Sequence, residues 1–184
     1  MAKTQLKISF KFDRQKAIQA ILWFLARHGG KLEKLKLIKL IFFADREHLA
    51  KYARPIIGGS YVAMQHGPVL SELLNLINST EKTVKNLGFN LSERNVVSTG
   101  QYDEDFLSES DIEALRTINT SMGSMDSNRL RNRTHGLKAW KNNYPDPSEN
   151  TSRPLPYEDF FLDLDNSEIL EIIRDDQEVR EMLA

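Results

Sequence analysis

The sequence predicts a mainly α-helical fold, a compact helical domain carrying a small β-hairpin or short sheet. Three observations predict it. Apolar residues recur at three- and four-residue spacing in several windows, the period of a helix with one buried face. Strict apolar and polar alternation is confined to short stretches, and capping residues, glycines and prolines fall at the ends of the periodic windows. The chain has 184 residues, 40% of them hydrophobic, enough for one core but too short for two large domains.

Leu6, Ile8, Phe10 and Phe12 alternate with Lys7, Ser9 and Lys11, as in a half-buried strand or an extended arm. Asp13 can cap a helix from Arg14 to His28, with Ile18, Ile21, Leu22 and Leu25 on its apolar face and Gly29-Gly30 as the stop. A second helix from about Lys31 to Tyr52 is apolar on nearly all sides through Leu35, Ile38, Ile41, Phe42 and Leu49, which makes it the expected central element. Its lysines are expected to snorkel outward.

Pro55 and Gly58-Gly59 break the helical pattern before Ser60–Gln65, which has strand character and ends at a turn over His66-Gly67-Pro68. Leu70, Leu73, Leu74 and Ile77 then define a third amphipathic helix, and Phe89 to Tyr102 reads as one or two short strands around Val96-Val97. Ser110 with Glu113 has the spacing of a capping box opening a helix with Ile112, Leu115 and Ile118 on one face. Asp126 caps the next helix, ending near Gly136.

Four of the six prolines lie between Pro145 and Pro156, without apolar periodicity, which predicts an ordered loop or linker. Tyr157, Phe160 and Phe161 follow as an aromatic anchor, and Asn166 or Ser167 can cap a last helix bearing Ile169, Leu170 and Ile173. The chain therefore divides into a principal domain, residues 1–144, and a segment 145–184 expected to pack on it.

Charge is unevenly spread. Residues 1–60 carry 13 Lys/Arg against 4 Asp/Glu, a net +9; residues 61–144 are at −1; residues 145–184 carry 3 against 12, a net −9. An acidic tail of this kind can mimic nucleic acid or pack against the basic third of the same molecule. The absence of cysteine excludes a disulfide framework and a thiolate metal cage and fits a reducing cytoplasm. The N-terminal residues lack the apolar run of a signal peptide, and the longest apolar stretch, Leu37–Ala44, falls well short of the ~20 residues that span a bilayer. A soluble protein with no membrane association is expected.

Catalytic signatures are sparse. No phosphate-binding loop, His-Glu-x-x-His pair, Gly-x-Ser-x-Gly elbow or cysteine nucleophile occurs. Asp45 and His48 share a helical face at metal-ligand spacing, but a polar face capped by ion pairs explains them without a metal. His66 sits in a turn, where a side chain either binds a partner or bonds its own backbone. The run Asn128–Lys141 carries a net +5 and ends near Trp140, a composition that suits phosphate contacts and stacking. On a helix Arg129 and Arg133 share a face while Arg131 points elsewhere, and Leu130, Leu137 and Trp140 face the core.

Two stretches of the chain resemble the Panacea domain, the SocA-like antitoxin domain of bacterial and phage toxin-antitoxin systems. The first runs from Lys34 to Leu49 and continues as Ile57-Gly58-Gly59-Ser60-Tyr61-Val62-Ala63-Met64-Gln65-His66-Gly67-Pro68-Val69. It is similar to the family's lysine-rich leucine helix followed by Gly-x-x-Tyr-x-Ala and Gly-Pro. The second is Thr134-His135 with Trp140, similar to a later pair in the family. Together they cover about residues 15–145, and the acidic tail lies outside.

The resemblance implies a helical domain with a small β element that neutralises a cognate protein toxin by binding it, with no catalytic residues, no metal and no cofactor. A protease that receives the toxin is a further partner compatible with the family. The motif points to toxin contacts at Tyr61, Met64, His66, Arg129, Arg133 and His135, and Tyr, Met and Arg are residue types enriched at interfaces. Gly58, Gly59, Gly67 and Pro68 are expected to shape the backbone. Two other classes remain: a nucleic-acid-binding regulator using the basic segments, and a metal-dependent hydrolase built on Asp45, His48 and His66.

Overall fold

The computed structural model describes residues 7–79, 87–144, 151–164 and 166–183; Leu6 and the Pro145–Asn150 part of the proline-rich connection lie outside the described residues. Residues 7–13 form an extended arm rather than a strand. Ile8 is buried and Phe10 and Phe12 half-buried, while Lys7, Ser9 and Lys11 face solvent, as the alternation requires. The arm is pinned by Gly59 N–H donating to Phe10 O at 2.9 Å and Asp13 N–H to Ile57 O at 2.8 Å.

Asp13 caps α1 (Arg14–Arg27) by accepting from the Lys16 amide, satisfying one of the open N–H groups of the first turn. Gly29 and Gly30, at φ 68° and 80°, then reverse the chain in a conformation that favours glycine. Lys31–Glu33 does not start the second helix. It forms a short strand, β1, and the helix α2 occupies Lys34–Tyr52. α2 is buried without interruption from Leu37 to Asp45 and packs against α1, α4 (Glu109–Met122) and α5 (Ser127–Gly136), so it is the central element of the fold.

Two three-stranded antiparallel sheets flank the helices. In one, β1 pairs with β5 (Asn95–Ser98), which forms a hairpin with β4 (Phe89–Ser92). In the other, β2 (Tyr61–Met64) lies between β3 (Gly67–Leu70) and β6 (Arg153–Pro154). α3 (Ser71–Ser79) follows β3 directly and buries Leu73, Leu76 and Ile77.

The capping box of α4 sits two residues before its expected position. Ser108 caps the helix and exchanges hydrogen bonds with Asp111, while Ser110 and Glu113 face across to the end of α2. α5 is capped by Asp126 as its sequence indicates, and α6 (Lys138–Asn143) follows it. Tyr157–Phe161 forms a 3-10 turn, and α7 (Ser167–Met182) ends the described chain. Asn166 precedes α7 without a capping bond and instead donates to Ala50 O at 3.3 Å.

The aromatic anchor after the proline-rich connection enters the same core as α2. Phe42 meets Phe160 edge-to-face at 5.4 Å and Tyr61 at 5.6 Å, and Tyr61 meets Tyr157 at 5.8 Å. Offset and edge-to-face pairs of this kind add stabilisation beyond their buried area. Among the described residues no helix is long and apolar enough to cross a membrane.

Candidate functional site

α2 directs three polar side chains into the protein, Lys39, Asp45 and His48, each at 0% exposure. The Asp45–His48 face is thus interior rather than a solvated helix face. Asp45 accepts from the amides of Ile56 and Ile57, both at 3.0 Å, and from the Tyr61 hydroxyl at 2.9 Å. These bonds order the loop after α2 and fix the start of β2. Burial pushes the Asp45 carboxyl up to about 7, against the pull of those donors and of His48.

His48 lies 2.6 Å from Arg54 O through Nδ1, and its Nε2 lies 3.0 Å from Ser110 Oγ and 3.2 Å from Asp111 Oδ1. Asp111, buried at the start of α4, also pairs with Lys16 and Arg54. Burial opposes its ionisation, yet the hydrogen bonds from His48, Lys16 and the Ser108 amide hold its carboxyl well below the usual range. This network pins α1, α2 and α4 together. His66 stands on an exposed turn, so Asp45, His48 and His66 do not share a solvent-accessible centre. Among the described residues no group of three or more His, Cys, Asp or Glu is placed to hold a metal ion.

Lys39 forms a different kind of centre. Its Nζ does not snorkel outward but donates to Pro68 O at 2.7 Å, because α2 is enclosed on the side where this residue lies. Gly67, at φ 91°, sits so close to α5 that a Cβ would collide with Thr134 Oγ1 and lie 3.1 Å from Lys39 Nζ. The β2–β3 turn therefore rests on both α2 and α5, and glycine is the residue that allows the approach.

α6 fastens the other strand at the same turn. Trp140 Nε1 donates to Met64 O at 2.9 Å, and the indole stacks on His135 at 3.9 Å between ring centroids and on Tyr144 at 4.7 Å. Burial, then the charge of Arg131, brings Lys39 down to about 7. Burial and the positive charges of Arg131 and Lys39 hold His135 at about 4, against a hydrogen bond to the Gln65 backbone. Beside the turn opens a cleft of about 480 Å³ whose wall includes Leu35, Ile38, Met64, His66, Val69 and Leu74.

The six residues expected to contact a partner are not on one surface. Met64 is half-buried, His66 exposed and His135 half-buried, all at the hairpin junction. Tyr61 is 3% exposed and bonded to Asp45; it holds the hairpin from inside and has no surface to offer, a correction to its expected role. Arg129 and Arg133 are exposed on the opposite flank of α5, Arg133 beside a hollow lined by Phe43, Arg46 and Met122. Arg131, one helical turn before His135, is the arginine that reaches the junction. Sequence reasoning missed Arg131 and Lys39; the four-residue step from Arg131 to His135 was the available signal.

A family model described as antitoxin SocA-like, Panacea domain, matches residues 37–141. The matched span begins inside α2 and ends inside α6, so it holds Lys39, the hairpin, Arg131, His135 and Trp140. No curated protein and no solved structure matches the chain.

Proposed function

The chain belongs to the SocA-like antitoxin, Panacea domain family, and from that premise we propose that it neutralises a cognate protein toxin by direct contact at the hairpin junction. The convergence of Lys39, Gly67-Pro68, Thr134-His135 and Trp140 on one spot carries this reading. Residues far apart in sequence meet there in a braced arrangement, and a rigid, preformed face loses little freedom on binding.

In this proposal Met64, His66 and His135 form the centre of the contact, and Arg129 and Arg133 lie at its edge across α5. Met64 supplies an adaptable apolar side chain beside the cleft. The protein acts as a binding partner rather than an enzyme, works without metal or cofactor, and meets its toxin in the cytoplasm.

Co-expression with the toxic product of a reading frame beside its gene tests the proposal. Survival of the host and co-purification of the two chains are expected, and a paired Met64→Ala, His66→Ala variant should lose both while keeping its melting temperature. Neutralisation by purified components points to steric block, whereas a requirement for a cellular protease assigns delivery for degradation instead. Binding to RNA or DNA that weakens steeply with salt, without toxin binding, would replace the reading by a nucleic-acid-binding one.

A further inference from the structure

The hairpin junction gathers positive charge and hydrogen-bond donors without the acceptors to match. An ammonium has three donors, and Lys39 Nζ, fully buried, meets a single acceptor among the described residues, Pro68 O. Among the described residues Arg131 Nε is a buried atom without a hydrogen-bond partner, and the His135 ring bonds the Gln65 backbone while its Nε2 is buried and unpartnered. Among the described residues no carboxylate forms an ion pair with Lys39, Arg131, His135 or His66.

These groups are near enough to act on one another: Arg131 disfavours the charge on Lys39, and Arg131, Lys39 and His66 each disfavour the charge on His135. The buried carboxylate at the start of α4 is handled differently. Asp111, the other buried charge in contact with cations, is surrounded by Lys16, Arg54 and His48, in keeping with the rule that buried charges are paired. A cluster of three cationic or protonatable groups around a buried lysine, left without a counter-charge, is an arrangement that an anion completes.

We infer that the cluster of Arg131, His135 and His66 beside the buried Lys39 is an anion site, and that it receives a carboxylate side chain of the partner protein. The identity of that partner as a toxin rests on the function proposed above; the anion site itself does not. Arg131 offers the planar fork that carboxylates accept. The adjoining cleft decides between a protein and a polyanion. Its wall is half apolar, Leu35, Ile38, Met64, Val69 and Leu74 beside Lys34, Gln65, His66, Thr151 and Ser152; the apolar half suits side chains flanking an Asp or Glu, and a phosphodiester backbone would leave it unmatched. A bound carboxylate supplies the missing counter-charge, so binding is accompanied by proton uptake at Lys39 and His135.

The test titrates the full chain with sodium acetate and, separately, with inorganic phosphate just below neutral pH, following the His66, His135 and Lys39 side-chain resonances by NMR. Saturable shifts at His135 and an upward move of the Lys39 titration midpoint are expected with acetate. Arg131→Gln should weaken acetate binding about tenfold, the effect of losing one charged partner, and Lys39→Met should do the same. Arg116→Gln, exposed on α4, should leave it unchanged. Absence of saturable shifts with either anion, or an unchanged affinity in Arg131→Gln with its fold intact, overturns the site. Shifts with phosphate and with a single-stranded oligonucleotide but not with acetate overturn the carboxylate assignment. Acetate binding together with failure to neutralise a co-expressed toxin leaves the site standing and removes the antitoxin reading. Full neutralisation by Arg131→Gln overturns the docking of a toxin carboxylate here.

Discussion

Lys39 Nζ donates to the carbonyl of Pro68 at 2.7 Å with the lysine wholly buried, which ties α2 to the start of β3 beside the hairpin turn. No carboxylate among the described residues balances this charge. The bond and the buried charge act in opposite directions on stability, and their balance changes with pH.

Lys39 titrates near 7 in the folded chain against 10.5 for an ordinary lysine. Between those two values the unfolded chain binds a proton that the folded chain lacks, so this group makes stability rise with pH across that window. Below 7 the folded state carries the full cost of the buried charge. Lys39→Met is therefore expected to be more stable than the parent at pH 6, with the advantage shrinking as pH rises toward 10. Loss of the bond to Pro68 offsets about 1 kcal/mol of the gain. Melting temperatures of both proteins across pH 5 to 10 check this, and a variant less stable than the parent at pH 6 refutes it.

Gly67→Ala is expected to destabilise the fold by roughly 1 to 3 kcal/mol or more, because the backbone there is left-handed and a methyl group would strike Thr134. The damage should be local to the junction. Denaturant unfolding measures the loss, and weakened His135–Trp140 stacking should appear as a change in tryptophan fluorescence.

Phe42 is 1% exposed and touches Phe43, Tyr61 and Phe160. Phe42→Ala should cost roughly 3 to 5 kcal/mol, the range for an aromatic removed from a core. A loss below about 1 kcal/mol by urea unfolding would show that α2 is not the centre of the structure.

Arg133 is exposed and has no structural ion pair among the described residues. Arg133→Ala should leave the melting temperature nearly unchanged and, from its place across α5, weaken toxin binding less than His66→Ala does. Equal losses measured by calorimetry would extend the contact face around both flanks of α5.

Truncation after Tyr144 removes Leu155, Tyr157, Phe160, Phe161 and Ile173, all buried, together with the β6 pairing to β2. The truncated chain is expected to be insoluble or strongly destabilised, since the large apolar surface it uncovers favours aggregation. A soluble truncation with a cooperative thermal transition would contradict this.

The sequence by itself determined the elements whose signals are local. α1, α2 and α5, the caps at Asp13 and Asp126, the hairpin turn at His66-Gly67 and the β4–β5 pair around Val96 all follow from periodicity and backbone chemistry within a few residues. The tertiary structure decided the rest. β1 and β6 span three and two residues, too short to show a period until a partner strand supplies the ladder. Ser108 and Ser110 each stand three residues before an acid, and the choice of Ser108 follows from Asp111 being anchored by Lys16 and His48. Lys39 lies on a helix with apolar residues on nearly every side, so no polar face marks its direction; enclosure by the hairpin and α5 sets it. In the same way α5 offers arginines on two flanks, and which one meets the hairpin depends on the rotation at which Leu130 and Thr134 are buried, a property of packing that spacing along one helix does not contain.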